Sequence, residues 1–154
     1  MDPAKGDAEV GRELAWGVSH SRSCYVQTCE TILLVEDESM VREVTHQVLG
    51  AAGFRVIEAR TASQASKAFR EERGKPDLLI TDVVLPDRNG RELWEELAGQ
   101  CADLRTIFIS GYPENVVTRS QPNGGTLYLA KPFSRESLLR VVRQALGKTN
   151  QRAV

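Results

Sequence analysis

Three carboxylates, a hydroxyl and an amine stand at matching places in otherwise unrelated stretches of the chain. Glu36 and Asp37 follow the apolar run Ile32-Leu33-Leu34-Val35, and Asp82 follows Leu78-Leu79-Ile80-Thr81. Ser110 follows Ile107-Phe108-Ile109, and Lys131 follows Leu127-Tyr128-Leu129-Ala130. If these runs are parallel strands of one sheet, all five side chains gather at its C-terminal edge, where open α/β sheets bind ligands. Carboxylates crowded together repel, and one is pushed toward protonation unless a cation lies among them. A hard, oxygen-seeking divalent ion such as Mg²⁺ answers that need, because it takes one or two carboxylates, keeps waters and shares phosphate oxygens. Lys131 adds a point charge and Ser110 a hydrogen-bond donor. The set suits a tetrahedral phosphoryl group, with aspartate as a competent nucleophile that yields an aspartyl phosphate. Such a site works by positioning and electrostatic stabilisation. Taken singly each residue has an ordinary reading. Glu36-Asp37-Glu38 is then an acidic loop before a helix, Asp82 a turn residue, Ser110 a cap and Lys131 a surface lysine. The joint placement carries the chemistry.

The elements that must position these residues alternate. Thr31–Val35 is apolar throughout, as a strand covered on both faces requires. A helix is predicted from Ser39 as N-cap to Ala52, with Val41, Val44, Val48 and Ala52 on its buried face. Gly53 ends it in the manner of a C′ glycine. Phe54–Glu58 is a second strand, and Thr61 to about Arg73 a second helix with Ala62, Ala65, Ala68 and Phe69 inward, stopped by Gly74 and Pro76. Asp77–Thr81 is the third strand. Asn89 or Gly90 opens a third helix to about Ala98, with Leu93 and Leu97 inward. Leu104–Ser110 is the fourth strand. A short helix is expected after Pro113, broken at Asn123-Gly124-Gly125. Thr126–Ala130 is the fifth strand, and Ser134 caps a last helix to about Leu146 with Leu138, Val141, Val142 and Ala145 inward. This β-α alternation predicts an α/β fold, a three-layer α/β/α sandwich around a parallel sheet, with right-handed crossovers.

Composition sets the bounds. A chain of 154 residues with 41% hydrophobic and 27% charged residues reads as one globular domain. A net charge of -1 gives no basic footprint for nucleic acid. No apolar run approaches the roughly 18 residues of a membrane span, and the N-terminus lacks a signal-peptide core, so a cytoplasmic location is expected. Cys24, Cys29 and Cys101 read as reduced thiols, with a Cys24–Cys29 disulfide or a zinc site as alternatives. His20 falls in a loop and His46 on a helix surface or boundary. Residues 1–30 read as a linker or tail, or as an added helix packing through Leu14 and Trp16.

The residues from Thr31 to Gly147 resemble the receiver domain of two-component response regulators. The resemblance rests on Ile32-Leu33-Leu34-Val35-Glu36-Asp37-Glu38, on Asp77-Leu78-Leu79-Ile80-Thr81-Asp82-Val83-Val84-Leu85-Pro86-Asp87-Arg88-Asn89-Gly90, on Ile107-Phe108-Ile109-Ser110-Gly111-Tyr112 and on Leu129-Ala130-Lys131-Pro132-Phe133. It implies a flavodoxin-like (βα)5 domain over 31–147 with a five-stranded parallel sheet in the order 2-1-3-4-5; a receiver is itself a standard example of that order. It implies that Asp82 accepts a phosphoryl group from a histidine kinase or a histidine phosphotransfer protein. It also implies that Asp37 binds Mg²⁺ (or Mn²⁺) directly and Glu36 largely through water, with Asp82 and the backbone carbonyl of Val84 completing the metal ligands. Lys131 is then the partner of the phosphoryl oxygens, and the Lys131–Pro132 peptide is cis. Ser110 and Tyr128 are then the switch pair, acting on the face formed by about 113–146, through which a homodimer could form. Val84 and Tyr112 occupy positions where the family tunes self-dephosphorylation.

The stretch from Glu30 to Ser134 most resembles receivers at the C-terminal end of hybrid sensor histidine kinases. Residues 148–154 read as a tail with no room for a helix-turn-helix output domain. The competing expectations are a stand-alone regulator and a pseudo-receiver that binds without being phosphorylated. A haloacid-dehalogenase-type phosphatase would end its first strand on the nucleophile, where this chain has Glu36-Asp37-Glu38. A flavodoxin would want a Ser-, Thr- and Gly-rich phosphate loop at the same place.

Overall fold

The computed structural model of the chain describes residues 29–72, 75–111 and 126–147. In order these form β1 (Thr31–Val35), α1 (Ser39–Ala51), β2 (Arg55–Ala59), α2 (Ala62–Glu71), β3 (Leu78–Asp82), α3 (Gly90–Ala98), β4 (Arg105–Ser110), β5 (Thr126–Ala130) and α4 (Arg135–Ala145). The five strands make one parallel sheet in the order β2-β1-β3-β4-β5, so the sequence-based expectation of a flavodoxin-like sandwich is borne out. The short helix after Pro113, the Asn123-Gly124-Gly125 break, Tyr112, the Arg73-Gly74 end of α2, the tail and the segment carrying Leu14, Trp16, His20 and Cys24 lie outside the described residues.

Strand alternation divides the core in two. Ile32 and Leu34 of β1, Leu78 and Ile80 of β3, and Ile107 and Ile109 of β4 pack with Leu49 of α1 and Leu138, Leu139 and Val142 of α4. Leu33 and Val35 of β1 and Leu79 of β3 face the other way, against Ala62, Ala65 and Phe69 of α2 and Leu93 and Leu97 of α3. Side chains of period two on a sheet covered on both sides account for the unbroken apolar runs. All five residues of β3 are buried, as befits the strand between β1 and β4.

Two helix details depart from the periodicity argument. The N-cap of α1 is Glu38, not Ser39, and its side chain makes no capping bond. The chain stays extended through Glu38, whose N–H donates to the Glu36 carboxylate at 3.2 Å. The buried face of α1 is Thr45 and Leu49, while Val44 is 56% exposed and Ala52 is exposed. Thr45 tolerates burial because its hydroxyl donates to the Val41 carbonyl at 2.7 Å. Ser134 caps α4 as expected, accepting from the Ser137 N–H, and the expected helix starts at Thr61 and Asn89 are N-caps that accept from the Gln64 and Arg91 N–H groups. On α4, Leu139 is buried with Leu138 and Val142, and Val141 and Ala145 are half-buried. Cys29 and Cys101 are free thiols, and no helix among the described residues is long and apolar enough to cross a membrane.

The turn after β3 is drawn tight. Gly90 donates to the Val83 carbonyl at 2.7 Å, and Val84 and Asn89 form an isolated bridge. A Cβ on Gly90 would lie 2.0 Å from the carbonyl oxygen of Asp82, so α3 starts against the backbone of β3 as no residue with a side chain could. Gly90→Ala is therefore expected to lower unfolding free energy by about 1–3 kcal/mol, measured by urea denaturation. Wild-type stability in that variant would contradict this close approach.

Candidate functional site

The sheet ladder runs one residue past each strand end and fixes the backbone of the site. Glu36 N–H donates to the Ala59 carbonyl at 3.1 Å, Val83 N–H to Ile109 at 3.0 Å and Lys131 N–H to Ser110 at 2.8 Å. Glu36, Asp82, Ser110 and Lys131 thus occupy one edge, just past β1, at the ends of β3 and β4, and just past β5. Glu36 is 1% exposed, Asp82 7% and Ser110 3%, whereas Asp37 faces solvent. Carboxylate oxygens of Glu36, Asp37 and Asp82 lie within 4.8 Å of one another.

Lys131 reaches into this group. Its ammonium stands 3.2 Å from Glu36 Oε1 and 3.3 Å from Asp82 Oδ1, and its hydrogen bonds run to Glu36 Oε2 and Asp82 Oδ2, each at 3.3 Å. Glu36 Oε1 is at ion-pair distance but not aligned for a hydrogen bond, which leaves a buried carboxylate oxygen without a hydrogen-bond partner. One cation therefore serves two buried carboxylates and leaves part of the negative charge uncompensated. Burial, and then the neighbouring Glu36, push the Asp82 carboxyl up to about 8, against the pull of Lys131. Burial works against the charge on Lys131, but Asp82 and Glu36 outweigh it and raise the ammonium above its ordinary value.

The residues fit a hard divalent cation. Three oxygen-bearing groups converge, one of them exposed enough to leave room for water, and a buried carboxylate oxygen has no hydrogen bond. Val84 lies two residues past Asp82 in the turn toward α3 and is 61% exposed. The Lys131–Pro132 peptide is cis.

Tyr128 lies away from this edge, half-buried in the middle of β5. Its ring stacks on Phe108 of β4 at 5.6 Å between centroids. Its hydroxyl accepts a hydrogen bond from Arg91 Nη2 at 2.6 Å, and the Arg91 guanidinium sits 5.3 Å from the Phe108 ring centre. Arg91 was not singled out by sequence reasoning. Nor was Asp87, whose carboxylate accepts from the backbone N–H groups of Ala62 and Ser63, both at 2.9 Å, and so ties the turn after β3 to the start of α2. Slight burial raises the Asp87 carboxyl, but these bonds outweigh it and hold it below its ordinary value. An aspartate two residues before Asn89-Gly90 carries no local sign of a partner 25 positions away.

Without divalent cations the raised Asp82 has a defined consequence. The folded state holds its proton across a range where the unfolded chain, with an aspartate near 3.9, has lost it. Stability from this group therefore falls as pH rises from about 4 toward 8. In EDTA, Asp82→Asn is expected to raise the melting temperature at pH 7.5 by at least about 4 °C, on the order of 1 kcal/mol, and by less at pH 5. A variant equal to or less stable than wild type at pH 7.5 would contradict this.

Comparisons with known proteins bear on this site. A family model described as the response regulator receiver domain matches residues 32–143. The chain is 37% identical over 119 residues to the sensor kinase CckA of Brucella abortus (strain 2308), a match covering 77% of this chain and 13% of that kinase. It superposes on the crystal structure of the receiver domain from the hybrid histidine kinase CckA with a TM-score of 0.66 and 35% identity, covering 75% of this chain and 98% of that one. It also superposes on the response regulator TrrA from Thermotoga maritima, crystallised in complex with Mg²⁺-BeF, with a TM-score of 0.67 and 27% identity over 76% of this chain and 99% of that one.

Proposed function

The chain belongs to the response regulator receiver domain family, and from that premise we propose that Asp82 accepts a phosphoryl group from a phosphohistidine donor. The observation that carries the reading is the meeting of Asp82, Glu36, Asp37 and Lys131 at one sheet edge, with Ser110 on the neighbouring strand end. In the transfer an Asp82 oxygen attacks phosphorus, a P–O bond forms, and the P–N bond to the donor imidazole breaks. The leaving nitrogen keeps the electron pair and is reprotonated from solvent. Lys131, 3.3 Å from Asp82 in the resting site, meets charge on the transferred oxygens, and the Ser110 hydroxyl offers a donor to one of them. Mg²⁺, held by Asp37, Asp82 and the Val84 carbonyl with Glu36 acting through water, would neutralise the charge that accumulates on the phosphoryl oxygens.

Support for a protein donor comes from the surface beside the site. A groove of about 530 Å³ runs between the first turns of α1 and the Lys131–Phe133 segment. Met40 and Val44 in it are 70% and 56% exposed, and it opens onto Lys131. That is a place for an apolar helix face carrying a histidine. Tyr128 and Ser110 would form the responding pair, and the surface between 113 and 146 the output face, open to a second copy or another partner. The kinship with a hybrid kinase receiver supports a place within such a kinase; a stand-alone regulator is the alternative.

The reading is tested by intact mass after incubation with Mg²⁺ and acetyl phosphate, and with a phosphorylated histidine phosphotransfer protein as a second donor. One added phosphoryl group is expected, lost in Asp82→Ala and abolished by EDTA during labelling. Labelling that survives in Asp82→Ala would assign the nucleophile elsewhere. No labelling from either donor would favour a pseudo-receiver.

A further inference from the structure

The turn that carries Glu36 and Asp37 has an anchor outside the cluster. Arg42 lies in the first turns of α1, its N–H bonded to the Glu38 carbonyl at 3.0 Å, which sets its side chain beside the end of β1. There Nη1 donates to the Glu36 carbonyl at 2.9 Å, and Nε donates to Glu58 Oε1 on β2 at 3.2 Å. The Arg42 side chain is 14% exposed, so its packing fixes it. Glu58 is held on its other oxygen by His46 of α1. One guanidinium thus joins β1, α1 and β2 at the residue before Asp37.

We propose that Arg42 is a positioning residue for the cation site, holding the Glu36–Asp37 turn in the geometry that brings the two carboxylates to Asp82. The inference rests on the reading above that these three carboxylates take a divalent ion. Backbone bonds account for the Glu36 N–H, which goes to Ala59, but the carbonyl that leads into Asp37 is met by Arg42. Asp37 is exposed, so little packing orients it, and its direction follows the backbone on either side. A planar guanidinium can bond a carbonyl and a carboxylate at once, which a lysine ammonium in one position does less well.

The proposal makes a prediction whose sign separates positioning from charge. Arg42 is a cation bonded to the backbone carbonyl that leads into Asp37. If its charge were its main influence, removing it would tighten divalent binding. If it positions the turn, removing it loosens binding. Mn²⁺ binding to the full chain, followed by the electron paramagnetic resonance signal of free Mn²⁺, is the readout, with melting in EDTA as the check on folding. Arg42→Gln is expected to raise the Mn²⁺ dissociation constant on the order of tenfold, and Arg42→Lys by less. Glu58→Gln should weaken binding by less than Arg42→Gln, and the double variant should bind no worse than Arg42→Gln alone, because both changes act through one brace. A dissociation constant in Arg42→Gln equal to or below that of wild type would overturn the proposal, as would additive losses in the double variant. Should Arg42→Gln fail to fold, wild-type affinity in both Arg42→Lys and Glu58→Gln would overturn it. A folded wild-type chain that takes up no Mn²⁺ at millimolar concentration would instead overturn the cation-site reading itself.

Discussion

Two buried carboxylates that share one ammonium set the terms for the rest of the molecule. Glu36 and Asp82 are nearly inaccessible, and Lys131 stands about equally close to both. Burial penalises charge unless it is paired and hydrogen-bonded, and here one positive group meets three negative ones once Asp37 is counted. The folded domain is left with an uncompensated negative centre. Burial first, and then the charge of Glu36, raise the Asp82 carboxyl, and a divalent ion at this edge would offset both. The core provides the rigidity that holds the condition in place: central strands apolar on both faces, described helices packed on each side, and a glycine where α3 meets the backbone of β3.

The same rigidity explains how a change at Asp82 could reach the surface. Ser110 and Lys131 are joined by a backbone bond, and farther back along the same two strands Phe108 pairs with Tyr128. Phe108 in turn meets Trp94 edge-on and Arg91 through its face. Tyr128 is therefore bound on one side to the strand that ends in Ser110 and on the other to α3, which starts from the turn after Asp82. Both routes begin at the strand end that carries Asp82. A shift of one strand end alters a stack whose members are already in contact, as expected of packed elements with discrete arrangements rather than graded ones.

Much of this was legible in the sequence, for physical reasons. Strands buried on both faces must be apolar throughout, so a polar residue at the end of each run stands out, and the four runs located Glu36, Asp82, Ser110 and Lys131. The helix starts at Thr61 and Asn89 and the cap at Ser134 were readable because the bonds that fix them are local. The face of α1 was misread because Thr45 hides its hydroxyl on its own helix and leaves Val44 outside, where a protein partner would find it. Arg42, Asp87 and Arg91 were not visible because each acts across the fold, on Glu58, on the start of α2 and on Tyr128. Nothing in a single sequence distinguishes such an arginine or aspartate from a solvated one.

The central claim is that the carboxylate cluster is frustrated by itself and relieved by a divalent cation. The most direct measurement is the pH titration of the Asp82 side-chain carboxyl by ¹³C NMR, without divalent ions and with saturating Mg²⁺. The account predicts a midpoint near 8 in the metal-free protein and a fall of several units when Mg²⁺ binds, since a coordinated cation favours the charged form. A midpoint in the ordinary aspartate range without metal, or one that Mg²⁺ leaves unmoved, would contradict it.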